Sequence, residues 1–366
     1  MPGIADIFRS CGSEYIDRYG DAMPPSHRRA MQDVVDCRTE RMGGHLFQCS
    51  HCDHLRYSYH SCKNRSCPTC HESDRKAWLE KRKREQLPVP YYHAVFTVPR
   101  ELHAFIRSHQ KILYALLMEA AAMALMQLAA DHRYVGGKVG MLSVLHTWTR
   151  ALVYHPHVHC LIPAGGISHD KRYWLEARTT YLVPVRALSD LFRTTFITLV
   201  RKNAPQAVFP QSVWRKNWVV YCKPCGHSTD KTLSYLARYV HQTAITNSRI
   251  LSVDRGTVTF RYKDSRDCRW KIMTLATSEF IRRFLQHVLP RGFHKVRYYG
   301  ILSPRKQSFL QQIRRVLTNK AQPSEAEPSD GNSSTKVPES LRLCPVCQKA
   351  CLILIMTLPR RWRAPP

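Results

Sequence analysis

His155-Pro156-His157-Val158-His159-Cys160 is the stretch on which the reading of this chain turns. It lies in an apolar run from Leu152 to Pro163 that reads as a short β-strand. Side chains alternate faces along a strand, so His157 and His159 point the same way and Val158 the other. Two imidazoles one pleat apart can grip one metal ion. A lone His-x-His is more often two histidines in an ordinary sheet, so the metal reading needs a second signal. His155 shares the face but lies two pleats from His159, which strains a three-histidine site on this strand alone.

Working outward, residues 138–148 read as a strand with Val139, Met141, Ser143 and Leu145 on one face. A turn separates it from the histidine strand, so the two should pair antiparallel. Upstream, residues 92–98 alternate as a strand and 101–130 form a long helix, broken once. Downstream, 185–202 is an amphipathic helix, 214–221 a strand, 250–262 with 267–275 a hairpin, and 278–288 a helix capped by Ser278. The fold class is therefore α+β, an antiparallel sheet with flanking helices.

The second signal is a helix over residues 233–243. Tyr235 and Tyr239 sit at i and i+4, with both hydroxyls on one face. Two half-buried aromatics would be the ordinary reading of that pair alone. Beside a metal held by His157 and His159, however, a phenol can become a nucleophile toward a phosphodiester. The ion would be Mg²⁺ or Mn²⁺. A third ligand stays open among His155, His241 and Gln242.

A chain of 366 residues with 56 Lys and Arg against 27 Asp and Glu carries a formal charge of +29. Such an excess implies a polyanionic partner, with DNA the first candidate. Fourteen cysteines without a secretory signal favour metal over disulfides and a reducing cytoplasm. The apolar run 112–130 reads as a buried helix, so no membrane is expected. Cys49-x-x-Cys52 and Cys67-x-x-Cys70 are two knuckles, expected to share one structural Zn²⁺. Cys37 and Cys62 are candidates for a second or supporting site. Arg38 and Arg65 stud this module, and Lys81-Arg82-Lys83-Arg84 follow on a helix over 72–86; these cations, with Arg238, are the expected DNA contacts. Residues 295–300 mix cations and aromatics, as a nucleic-acid surface or a packed strand would. Residues 323–340 read as a disordered linker. Cys344-x-x-Cys347 with Cys351 reads as a metal knuckle lacking an obvious fourth ligand, and Cys222-x-x-Cys225 as a similar stray fragment. The expected division is 1–88 for N-terminal helices and the zinc domain, 89–322 for the catalytic domain, the linker, and a basic tail over 341–366.

Taken together, these residues resemble a known family. His157-Val158-His159 resembles the metal motif of HUH endonucleases. Tyr235-Leu-Ala-Arg-Tyr239, followed by residues 244–249, resembles the two-tyrosine motif of rolling-circle transposases of the insertion-sequence ninety-one family. Cys37-Arg-Thr, Gly43-Gly44-His45, Cys49 and Cys52, Ser61-Cys62-Lys63-Asn64-Arg65, and Cys67 and Cys70 resemble that family's zinc-binding domain, and residues 297–303 resemble the end of its catalytic region. The resemblance implies an HUH-type sheet, and nicking of single-stranded DNA at element ends with strand transfer through 5′-phosphotyrosine on Tyr235 and Tyr239. His157 and His159 would hold the metal. It implies no nucleotide cofactor and leaves a homodimer open. Alternatives are a rolling-circle replication initiator or relaxase, a non-catalytic zinc-dependent DNA-binding regulator, and a zinc hydrolase.

Overall fold

The computed structural model describes residues 2–70, 72–177, 181–225, 240, 244–254, 256–321 and 343–360. The chain opens with two helices, α1 (Ile4–Tyr19) and α2 (Pro25–Asp36), followed by a hairpin of β1 (Gly44–Cys49) and β2 (Leu55–Tyr59). Then come the basic helix α3 (Glu72–Glu85) and strand β3 (Tyr91–Thr97). The long helix expected next is broken at His109 into α4 (His103–Ser108) and α5 (Gln110–Ala129). Strands β4 (Gly140–Trp148) and β5 (Tyr154–Pro163) follow, then a short pair, β6 (Gly165–Ile167) and β7 (Trp174–Glu176). Helices α6 (Val185–Asn203) and α7 (Gln211–Arg215) lead to β8 (Val220–Pro224). After the tyrosine segment come β9 (Ile250–Asp254), β10 (Thr257–Lys263), β11 (Trp270–Ala276) and helix α8 (Thr277–Leu285). The described chain ends with β12 (Val296–Gly300), α9 (Gln307–Ala321) and β13 (Leu352–Leu358).

The centre is a five-stranded antiparallel sheet in the order β12-β4-β5-β3-β8. Its alternation is clean. Phe96 of β3, Met141 and Leu145 of β4, and Val158, Cys160 and Ile162 of β5 all face one side. That side packs on Leu113, Tyr114 and Leu117 of α5 and Phe192 and Phe196 of α6. Burying a side chain of this size contributes about 1.5–3 kcal/mol each. By length and composition α5 could cross a membrane, but most of its apolar surface is buried within the protein. Tyr114 and Tyr154 share a hydroxyl–hydroxyl hydrogen bond of 2.8 Å beneath the sheet, so neither polar tip is stranded there.

A second core lies apart from the first. Ile4, Ile7 and Phe8 of α1 and Met31 and Val34 of α2 pack with Val258 and Phe260 of β10 and Phe280, Ile281 and Phe284 of α8. Phe8 and Phe284 meet edge to face at 5.4 Å. The N-terminal helices are thus seated on the three-stranded sheet β11-β10-β9 that follows the tyrosine segment.

Two local expectations differ from the fold. The strand placed at 214–221 begins only at Val220. Pro210 starts α7 instead, and the buried Trp218 turns inward with its indole N–H donating to the Val213 carbonyl at 3.1 Å. Helix α8 starts one residue early, with Ala276 rather than Ser278 at its N-cap position. Of the two readings of the cation–aromatic segment 295–300, the structure takes the packed strand: it forms the edge strand β12, paired along β4.

His287 joins the two cores. Its ring is buried, with Nδ1 3.3 Å from the Thr147 hydroxyl and Nε2 3.4 Å from the Leu152 carbonyl. Burial holds its pKa down at about 3. Between that value and about 6.5 the unfolded chain binds a proton that the folded one refuses, so stability rises with pH across this window. His287 should add about 2 kcal/mol at pH 7 relative to pH 5. Urea unfolding at the two pH values should therefore show a larger difference in the parent than in His287→Gln. Equal differences would remove His287 from that role.

Candidate metal centre and nucleic-acid interface

Three imidazoles converge on the face of the central sheet opposite α5 and α6. His157 and His159 lie on β5 as the alternation requires. The third is His146 of β4, which the antiparallel register sets directly opposite His157. The ligand-capable atoms of His146, His157 and His159 all lie within 4.8 Å of one another, close enough for one cation. The ring centroids of His146 and His159 are 4.5 Å apart, and those of His157 and His159 4.9 Å.

Hydrogen bonds fix which nitrogen faces inward. Nδ1 of His157 lies 2.7 Å from the His155 carbonyl, which can only accept. That nitrogen therefore carries the proton, and Nε2 is left with a lone pair, the form a metal requires. Nδ1 of His159 lies 3.0 Å from Nε2 of His93, one strand over, leaving its own Nε2 for the cluster. Burial depresses the pKa of His157 to about 4 and that of His159 well below the usual range, the latter reinforced by His157 and His93. His93 is held at about 4 by burial too. His93, His157 and His159 are thus neutral at pH 7. A set of imidazole donors, with the His157 tautomer fixed, fits a divalent cation.

His155 is brought close but does not join the three-atom cluster. Its carbonyl accepts from His157, and its ring centroid lies 5.2 Å from that of His157 and 5.5 Å from that of His103. Tyr235, Arg238, Tyr239, His241 and Gln242 lie outside the described residues. Ala244, just beyond them, borders the same small cavity as Trp148 and His287. The Trp148 ring stacks on His146, with centroids 4.8 Å apart. His146 was missed because the strand 138–148 was read by its apolar face alone. The signal was there: with Met141 and Leu145 on the core side, His146 must fall on the face that carries His157.

The cysteines divide differently from the expected arrangement. Cys37, Cys62, Cys67 and Cys70 form one cluster, and Cys49 and Cys52 join Cys344 and Cys347 in another. Thus the four thiols expected around one ion, Cys49, Cys52, Cys67 and Cys70, do not meet. The reason is local. The loop after β2 folds back on the end of α2, with the Arg38 N–H donating to the His60 carbonyl at 3.2 Å, which carries Cys62 to Cys37. Cys49 and Cys52 lie at the opposite end of the hairpin. In the first cluster the Cys62 and Cys70 sulfurs are 3.7 Å apart. Four sulfurs about 2.3 Å from a tetrahedral zinc stand about 3.8 Å from one another, whereas a disulfide needs about 2.05 Å. Cys222 and Cys225 belong to neither cluster.

The expected DNA contacts also sort by what they touch. Arg38 is exposed. Arg65 donates from its guanidinium to the Phe293 carbonyl, tying the cysteine loop to the chain before β12. On α3, Arg82 pairs with Glu85 at 2.5 Å and lies over the Tyr298 ring, and Lys83 is 3.5 Å from Glu80. Lys81 and Arg84 face outward. Sequence reasoning missed a further basic surface. Arg100, Arg107, Arg282 and Arg283 line a groove of about 370 Å³ together with His103 and Tyr154, next to the histidine strand. These arginines come from segments distant in sequence, so no local charge run announced them.

A family profile described as "Putative transposase" matches residues 140–308, and one described as "Transposase zinc-binding domain" matches residues 7–98. A protein of Sinorhizobium fredii that carries the first of these descriptions is 38% identical, over 97% of this chain and 95% of its own length. The transposase for insertion sequence element IS801 of Pseudomonas savastanoi pv. phaseolicola is 27% identical, over 74% of this chain and 69% of its own length.

The histidine geometry makes a sharp prediction. His146→Ala should weaken Mn²⁺ binding to the full-length protein by at least about tenfold, as titration calorimetry would read. His155→Ala should change it little, because only the backbone carbonyl of that residue is used. A larger loss in the His155 variant would displace His146 from the site.

Proposed function

The chain belongs to the insertion-sequence ninety-one family of transposases, and from that premise we propose that it nicks single-stranded DNA at element ends and transfers strands by rolling-circle transposition. The observation that carries the proposal is the convergence of the ligand-capable atoms of His146, His157 and His159 within 4.8 Å of one another on one face of the sheet. The N-terminal region is a zinc-binding domain, and zinc there is structural.

In this reading His146, His157 and His159 would hold a Mg²⁺ or Mn²⁺ ion, which would neutralise charge on the phosphate. Everything else falls to the chain's own residues. The hydrogen bonds of His157 to the His155 carbonyl and of His159 to His93 hold the ligand nitrogens in place. Arg100 and Arg107, both exposed at the groove, pair with backbone phosphates and orient the strand. Tyr235 or Tyr239 gives up its phenolic proton and attacks the phosphorus in line. The P–Oη bond forms and the P–O3′ bond breaks. The departing 3′ oxygen takes a proton and the 5′ side stays esterified to tyrosine. Because the ester retains the energy of the phosphodiester, a second strand's 3′-hydroxyl can reverse the step without a nucleotide cofactor. Two tyrosines permit two such transfers. The position of Ala244 beside Trp148, which stacks on His146, supports placing the tyrosines at this face. The site of action would be cytoplasmic DNA.

Incubating the protein with labelled single-stranded terminal DNA and Mg²⁺ or Mn²⁺ should give an adduct that survives denaturation. The Tyr235→Phe, Tyr239→Phe double variant should give none, and His157→Ala should form it at least about a hundredfold more slowly. An adduct that persists without both tyrosines would sink the mechanism while leaving the family membership intact.

A further inference from the structure

The cluster of Cys49, Cys52, Cys344 and Cys347 joins two parts of the chain almost three hundred residues apart. It also lies partly outside both matched regions, which stop at residues 98 and 308. Its geometry is that of a metal site. The Cys49 and Cys347 sulfurs are 3.6 Å apart and those of Cys52 and Cys344 3.7 Å. These distances match the edge of a zinc tetrathiolate, about 3.8 Å, and are far too long for a disulfide.

The two halves are built alike. In the first, the Asp53 N–H donates to the Cys49 carbonyl at 3.2 Å and Asp53 has φ of 53°. In the second, the Gln348 N–H donates to the Cys344 carbonyl at 2.9 Å and Gln348 also has φ of 53°. In each, the residue just past the second cysteine thus takes a left-handed conformation that L side chains enter only at a cost. Two non-glycine residues holding the same strained turn, each aiming two thiols at the other, is the pattern of paired zinc knuckles. The His51 N–H also points at the Cys49 sulfur at 3.4 Å, as donors do toward a thiolate.

The strand that follows the second knuckle completes the arrangement. β13 adds to the edge of the hairpin in the order β13-β1-β2, pairing from Cys49 with Leu352 to Gly44 with Leu358. A Cβ on Gly43, whose φ is 66°, would stand 2.6 Å from the Leu358 carbonyl oxygen and 2.8 Å from the Arg360 nitrogen. The N-terminal hairpin is thus shaped to receive this C-terminal strand. Phe47, Cys49, Cys344 and Leu352 form a small buried core beneath it.

We propose that Cys49, Cys52, Cys344 and Cys347 hold a second structural Zn²⁺, distinct from that of Cys37, Cys62, Cys67 and Cys70, which clasps residues 343–360 onto the N-terminal hairpin. The C-terminal segment is then part of the zinc module rather than a free tail. The order of the cysteines in the chain hides this, because a knuckle specifies a pair of ligands and not the pair it faces.

The test uses the full-length protein. Cys344→Ser with Cys347→Ser should lose one zinc per chain relative to the parent, and Cys62→Ser with Cys67→Ser should lose another. Zinc content unchanged in the first variant would overturn the proposal. A second measurement needs no variant and so does not depend on folding. Iodoacetamide should leave Cys344 and Cys347 unmodified in the native protein and label both after a chelator is added, as peptide mass mapping would show. Equal labelling with and without chelator, or a chain lighter by the hydrogens of a disulfide between these cysteines, would refute the metal clasp.

Discussion

The register of β4 against β5 is the constraint on which the rest of the site depends. With His146 opposite His157, the three imidazoles share one face. A slip of one residue would send His146 to the helix side and bring Leu145 or Thr147 to the metal face. What forbids the slip is packing. Met141 and Leu145 must lie beside Val158 and Cys160 against α5 and α6. The irregularity between His146 and Trp148 then lets Trp148 return to stack on His146. The chemistry of one face is therefore set by hydrophobic burial on the other.

Much of this was legible in the chain, and the limits are physical. Strand alternation around residues 92–98 and 154–163 was strong enough to locate β3 and β5 and to put His157 and His159 together. Alternation gives a face but not a neighbour, and so it stopped short of His146, whose role appears only when two strands are laid side by side. The cysteines failed for a related reason. Cys-x-x-Cys is a local geometry that any other knuckle can complete, and the nearest one in sequence, Cys67 and Cys70, is committed to Cys37 and Cys62. Where a helix was expected to begin, at Ser278, a cap residue was available but the chain turned one residue sooner. The tyrosine helix lies outside the described residues, so its reading still rests on the i, i+4 spacing and the family resemblance.

The second core gives the cysteine module a mechanical place in the protein. Cys37, Cys67 and Cys70 are buried in the same cluster as Phe260, Phe280 and Phe284, and so is Ala244, just after the tyrosine segment. Zinc at the first cluster would rigidify one wall of that core. The cysteine loop is then connected through packed side chains, rather than a free hinge, to Ala244 at the end of the tyrosine segment.

Charge explains why such a face can remain empty of protons and yet receive a phosphate. The chain's net charge of +29 disfavours additional protons, and burial does so more strongly at His157 and His159. Neutral imidazoles are poor partners for an anion by themselves. Under the proposed mechanism a divalent cation would convert them into a positive centre fixed in the sheet, while Arg100 and Arg107 would supply charge in the groove beside the start of the histidine strand. Under the proposed mechanism the two act on different parts of the same strand. The arginines draw in any phosphate backbone, whatever its sequence, and the buried ligands select the single phosphate that reaches the cation. The desolvation that lowers the histidine pKa values is therefore the same property that makes the electrostatic contribution of the site large, because a charge placed there is poorly screened by water.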